Sequence, residues 1–210
     1  MPSTPGRTPR LAPTERRAQL VQAALRAFAR KGYASTQIGD VVREAGVARA
    51  TFYLHFESKR HLLTAVAREL VDRLPARAGT PAPPRSRADL AAALEALHRG
   101  VLEGLAASRD AARLVFADGV DAEPSVSRAL AAHDQATRRL VAGLLGKARD
   151  AGCLRDGVDV GLATEAVLGS LQRVVRHRLL RDRKSDPAAL AAALARLHVA
   201  ALCPDGDGPG

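Results

Sequence analysis

Residues 36–63 read TQIGDVVREAGVARATFYLHFESKRHLL, and this stretch decides the fold. Ile38, Val41, Val42 and Ala45 recur at helical spacing, preceded by the N-cap hydroxyls of Ser35 and Thr36 and closed by Gly46. A second short helix is expected over 48–56. Gly46 supplies the left-handed backbone that a tight interhelical turn requires, Ala45 is small where the helices approach, and Val47 and Phe52 plug the core beneath. Two short helices joined in this way are the parts of a helix-turn-helix. Upstream, Leu20, Ala24, Ala27 and Phe28 place a helix over 14–31, with Gly32 as its stop. Downstream, Ser58 caps a longer helix carrying Leu62, Val66, Leu70 and Leu74 on one stripe, and Pro75 ends it.

The rest of the chain continues in the same style. The 210 residues are 47% hydrophobic and 26% charged, which excludes disorder throughout, and six aromatics without Trp undersupply a β-rich fold. An all-α chain is expected. Pro75, Pro81, Pro83 and Pro84 with Gly79 make 75–87 a linker between two domains, 14–74 and 88–203, flanked by a disordered basic arm at 1–13 and a disordered tail at 204–210. Within the second domain, Leu90, Leu94, Leu97, Val101 and Leu105 mark one helix, with others expected over 111–117, 125–151, 160–180 and 187–202, and a loop over 118–124.

Charge is segregated between the two parts. The net charge is +10, and residues 1–74 hold 13 Lys and Arg against 6 Asp and Glu, while 75–210 hold 19 against 16. A basic, aromatic-containing helix-turn-helix domain points to nucleic acid. Cys153 and Cys203 are too few for a disulfide framework, the amino terminus lacks an apolar signal core, and no apolar run is long enough to span a membrane. A cytoplasmic protein with no membrane partner is expected. An enzyme would have to rest on Cys153, Cys203 and His198, which show no metal-ligand spacing, phosphate loop or nucleophile motif, so no catalytic residue, metal or cofactor is expected.

The pieces Ala45-Gly46-Val47, Thr51-Phe52-Tyr53, His55-Phe56 and Ser58-Lys59 followed by Leu62 closely resemble the tetracycline-repressor (TetR) family of bacterial transcription regulators. The resemblance covers residues 14–74 and includes Leu20-Val21, Ala23-Ala24, Phe28 and Gly32-Tyr33. It implies an amino-terminal three-helix DNA-binding domain and a carboxy-terminal helical domain for ligand binding and dimerisation. Ala50 stands where the family often has Gly, Val42 where it usually has Ala, and Gln37 where Thr or Ser commonly caps the helix, so that either Thr36 takes over that phosphate contact or the contact is missing.

Carried over by position, the resemblance makes Thr51, Tyr53, His55 and Lys59 contacts to phosphate or nearby base edges, with Ala50 on the same exposed face. Arg49 is the candidate for base readout, since a guanidinium can pair with guanine O6 and N7. The plain alternatives are a core aromatic for Tyr53 and a solvated surface residue for His55.

In the second domain, His133 and Thr137 fall in the apolar stripe of Val126, Leu130, Leu140, Leu144 and Ala148, where polar groups need partners: an internal bond, buried water or a ligand. His98 and Phe116 are secondary pocket candidates. The resemblance also implies a two-fold four-helix interface, for which Val167, Leu171, Val174, Leu190, Leu194 and Leu197 are the candidates; the alternative is that these stripes pack within one subunit. The expected whole is a homodimeric regulator, a repressor, that binds a palindromic duplex operator and is released by a small, largely apolar effector. The competing reading is a DNA-binding regulator without an effector, controlled by a protein partner or by abundance.

Overall fold

The computed structural model describes residues 12–74, 82–116 and 124–204. Among them are nine α-helices and no strand: α1 (Pro13–Lys31), α2 (Ile38–Ala45), α3 (Arg49–Tyr53), α4 (Lys59–Arg73), α5 (Arg87–Ala107), α6 (Arg109–Phe116), α7 (Pro124–Asp150), α8 (Val160–Val174) and α9 (Pro187–Leu202). The all-α expectation holds. Most of the expected basic arm, residues 75–81 of the expected linker, most of the 118–124 loop and the tail beyond residue 204 lie outside the described residues. Contacts divide the chain into two compact units, Met1–Val66 and Ala67–Gly210. The division falls inside α4 rather than after it, because Ala67, Leu70 and Leu74 are buried and Leu74 joins a cavity wall of the second unit.

In the first unit, Leu20, Val21, Ala24, Ala27 and Phe28 of α1 pack in one core with Val41 and Ala45 of α2, and with Phe52, Phe56, Leu62 and Leu63. Gly46 ends α2 at φ 65° and ψ 33°, and the next amide, Val47, reaches back to the Val42 carbonyl at 3.0 Å. That left-handed turn is the one glycine supplies without strain. Phe52 and Phe56 both turn inward with centroids 5.8 Å apart, and α3 is shorter than the expected 48–56 although the Phe56 amide still reaches the Phe52 carbonyl at 2.9 Å.

Three polar ties hold α2 to α1. The Gln19 side chain donates to the Ala45 carbonyl at 2.9 Å, Arg26 and Arg30 both engage Glu44 at 2.8 and 2.9 Å, and Lys31 reaches Asp40 at 2.6 Å. The hydrogen bond from Lys31 holds the Asp40 carboxyl below its ordinary range, and those from Arg26 and Arg30 do the same for Glu44. Asp40 also accepts the Gln37 amide at 3.0 Å, so the N-cap position of α2 is Gln37 rather than Ser35 or Thr36.

Lys59 closes the unit from the other side. Its ammonium donates to the Tyr33, Ala34 and Thr36 carbonyls at 2.8, 3.1 and 2.8 Å and sits 4.5 Å from the Tyr33 ring centroid. One cation satisfies three carbonyls of the α1–α2 connection.

In the second unit, α5 packs along α9 and α7 along α8 around Leu90, Leu94, Val141, Leu145, Val167, Ala195 and Val199. Asp159 and Asp186 cap α8 and α9 through amides at 2.8 and 2.9 Å, and Arg155 donates to the Cys203 and Ala200 carbonyls at the far end of α9. After Val174 the chain makes a π-helical turn over Val175–Leu179, closed by the Leu180 amide on the Val175 carbonyl at 3.0 Å.

Between α5 and α9, His98 and His198 face one another with ring centroids 5.1 Å apart. Ser170 Oγ lies 2.8 Å from His198 Nε2, while the remaining ring nitrogens of the pair have no partner at good hydrogen-bonding geometry. Burial, and then the neighbouring His198, push His98 down to about 4, the Ala191 backbone acting weakly in the opposite sense; burial lowers His198 as well.

Two outcomes are expected. Lys59→Ala strands three carbonyls, and with charged hydrogen bonds contributing about 1.5–3 kcal/mol it should lower the melting temperature by several degrees; an unchanged melting temperature would show the clamp to be idle. For His98, the unfolded ring takes up its proton near pH 6.5 and the folded one near 4, so stability is full above pH 6.5 and falls as pH drops toward 4. Between pH 7 and 5 the loss should be about 2 kcal/mol, and His98→Leu should flatten it, as read by denaturant melts at the two pH values. An equal loss in His98→Leu would clear His98 of the effect.

Candidate nucleic-acid interface and ligand cavity

The surface of α3 carries Arg49, Ala50 and Tyr53 exposed, with Thr51 and His55 half-buried. Tyr53 is 49% exposed, so it is not a core aromatic, whereas Phe52 and Phe56 are. Thr51, His55 and Leu54 border a groove completed by Gly46, Val47 and Ala48 from the turn and by Pro13 and Arg16 from the start of α1. Arg49 makes no hydrogen bond or ion pair among the described residues. The first turn of α1 and the 82%-exposed Leu54 are additions that sequence reading did not supply.

Two of the expected DNA contacts are corrected by this geometry. Thr36 is fully buried, and its hydroxyl donates to the Gly32 carbonyl at 2.7 Å, so it caps the end of α1 and is closed to phosphate. The three carbonyl bonds of Lys59 likewise occupy its ammonium. Burial lowers its pKa, a cost that the three carbonyl bonds oppose. Arg26, Arg30 and Lys31 are likewise engaged by Glu44 and Asp40 of the same unit.

The second unit contains a cavity of about 370 Å³. Leu74, Val101, Leu105, Phe116, Leu130, Leu168, Leu171 and Val175 give it apolar walls, and Ser127, His133, Asp134, Thr137, Gln172 and Arg176 its polar groups. His133, Thr137 and Phe116 are thus brought together, from α7 and the end of α6. His98 is not: its ring points into the α5–α9 seam, because the apolar face of α5 is wide enough to serve two neighbours. Thr137 Oγ1 donates to the His133 carbonyl at 2.9 Å and lies 3.5 Å from His133 Nε2. Burial lowers the His133 pKa, with Asp134 opposing, and so favours the neutral ring. A neutral imidazole and a hydroxyl on an apolar wall can orient a ligand by hydrogen bonding without charge.

The expected dimer residues separate into two groups. Val167, Leu171 and Leu194 are buried within the subunit, which removes them from any interface: Val167 is part of the central core and Leu171 of the cavity wall. Val174 and Leu190 are half-buried, and Leu197 is 61% exposed. Leu162, 72% exposed, shares the open side of α8 with Ala166 and Gly169, while Ala189 and Ala193 accompany Leu197 on α9. Strong apolar residues went to the inner core, and the outer faces were left with small residues and two leucines.

Comparison with known proteins agrees with this layout. Residues 20–66 match the family model described as bacterial regulatory proteins, tetR family. The chain is 24% identical over 186 residues to the fatty acid metabolism regulator protein of Bacillus subtilis, covering 88% of this chain and 94% of that one. Two solved structures share the fold at lower identity. The FadR regulator of Bacillus subtilis in complex with stearoyl-CoA superposes with a TM-score of 0.66 at 22% identity, covering 87% of this chain and 97% of that one. The TetR-family regulator PfmR of Thermus thermophilus gives 0.71 at 20% identity, covering 86% and 97%. No helix among the described residues is long and apolar enough to cross a membrane. Residues 20–66 thus match the amino-terminal domain of the TetR-family bacterial regulators, and the chain as a whole shares its fold with solved regulators of that kind.

Proposed function

We propose that this regulator is a homodimeric repressor which sets α3 of each subunit into successive major grooves of a palindromic operator and leaves it when a small, largely apolar molecule fills the cavity of the second unit. The observation that carries the DNA half is the exposed Arg49, Ala50 and Tyr53 on a one-turn helix whose other face, Phe52, is fully buried. In this reading Arg49 reads a base, Tyr53, Thr51 and His55 contact phosphates or neighbouring base edges, and Ala50 lies close to the groove floor. The cavity with its largely apolar walls supports an effector over control by a protein partner or by abundance alone.

The open sides of α8 and α9 are the proposed dimer face. Ala166, Gly169, Ala189 and Ala193 would let helices of two subunits approach closely, and Leu162 and Leu197 would supply the buried apolar area. Release works only if the effector prefers the conformation with the wrong spacing between recognition helices. The helix α4 is the proposed lever, since Lys59 begins it and Leu74, in the cavity wall, directly follows it.

On operators obtained by selection from random duplexes, Arg49→Ala should lose about 1–3 kcal/mol of preference at a single base pair in each half-site, while affinity for every sequence falls steeply with salt. A uniform loss on all sequences would make Arg49 a phosphate clamp, and salt-independent binding would sink the electrostatic argument. Leu197→Glu should sediment as a monomer and lose the palindrome, whose half-sites lie about 34 Å apart, while keeping its melting behaviour. If Leu197→Glu remains dimeric at micromolar concentration, the α8–α9 face is not the interface.

A further inference from the structure

Large apolar side chains left open to solvent are unevenly placed. Among the described residues there are four, and two of them, Leu162 and Leu197, lie on the open sides of α8 and α9. The other two, Tyr53 and Leu54, are neighbours at the end of α3. The core of the first unit takes leucine readily, since Leu20, Leu62 and Leu63 are fully buried in it, yet Leu54 is left outside.

Helical geometry gives that exposure a direction. Leu54 follows α3 with its backbone still in the right-handed helical region, at φ −70° and ψ −21°, and its amide donates to the Ala50 carbonyl at 3.3 Å. Phe52 faces the core and is fully buried. At about 100° per residue, Ala50 and Leu54, two places before and after Phe52, each point within about 20° of the direction opposite to it. They lead the outward face, with Arg49 and Tyr53 on one side of that line and Thr51 and His55 on the other. Gly46, Val47 and Ala48 of the turn border the same groove as Leu54.

What a leucine at this place can gain from a DNA duplex is narrow. Phosphate oxygens and the donor and acceptor edges of the bases offer it no bond, and pressing it on them takes polar groups out of water without giving them a partner. The one apolar group on a base edge in the major groove is the C5 methyl of thymine. Ala50, with a single methyl, lets the helix come close at its middle, and the longer Leu54 side chain extends from the next turn.

We propose that Leu54 reads a thymine, its side chain packing on the C5 methyl of one T·A pair in each half-site, the same half-site in which Arg49 reads its base. This rests on the reading of α3 as the helix that enters the major groove, and it adds a base to that reading: the operator carries thymine where Leu54 comes down. Taking the methyl away removes the burial of one methylene-sized group, about a fourfold loss of affinity per half-site.

The test uses the full-length protein and the duplexes it selects from a random pool, with each thymine of one half-site in turn replaced by deoxyuridine. That change removes the methyl and leaves the pairing edge intact. Affinity read by fluorescence anisotropy should fall about fourfold at one thymine or more. At one of these positions Leu54→Ala should bind the thymine and deoxyuridine duplexes within about 1.5-fold of each other, while melting with the wild-type protein because the side chain it loses is exposed. Leu54→Met, which restores an apolar chain of similar reach, should restore the discrimination. If no thymine is sensitive to loss of its methyl, or Leu54→Ala keeps every such sensitivity in full, Leu54 is not the reader; Arg49→Ala still losing its preference at a single base pair on these duplexes would then leave the reading of α3 standing without it. A pool that yields no preferred duplex overturns both.

Discussion

A helix of five residues makes barely one turn, and in water such a segment has no stability of its own. Everything that α3 presents to a partner therefore depends on the one side chain it sends inward, Phe52, and on the residues that hold Phe52 in place. The neighbouring α2, at eight residues, is scarcely better off, and it is secured by Gly46, by the Gln19 bond to its last carbonyl and by the Glu44 and Asp40 ion pairs. These pairs are exposed and individually weak. Their arrangement on one seam fixes the register of α2 against α1, and with it the direction in which Arg49 and Tyr53 leave the surface.

This economy explains where the positive charge goes. A count of 13 basic residues in the first 74 suggests a broad phosphate-binding surface, yet Arg26, Arg30 and Lys31 face Glu44 and Asp40, and Lys59 is enclosed by three carbonyls. Part of the basic excess holds the domain together.

Much of the helical framework was legible because its punctuation is local. Gly32, Gly46, Ser58 and Pro187 mark ends and starts by backbone chemistry that needs no knowledge of the rest of the chain. The roles of Thr36 and Lys59 were not legible, since a hydroxyl or an ammonium in a motif reads the same whether its partner is a phosphate or a carbonyl 23 residues away. The stripes of α8 and α9 misled for a related reason. When a helix is packed on several sides, its most apolar face turns to its own core, as Val167 and Leu194 do, and the face left open is recognised by small size rather than by hydrophobicity. Nothing in the periodicity of residues 160–180 announces the π-helical turn at Val175, because one extra residue per turn leaves the sequence pattern almost unchanged.

The two polar places in the second unit obey opposite rules. His98 and His198 are sealed between helices, so their unmatched nitrogens are a fixed cost that buys nothing visible in a resting subunit and grows when protons are available. His133 and Thr137 lie on a cavity wall, where the same kind of group can be matched by whatever enters. Their polar groups face open space as well as each other, so they are not sealed as the His98 and His198 rings are. Leu74 belongs to that wall and directly follows α4, so the wall and the end of α4 are one stretch of chain.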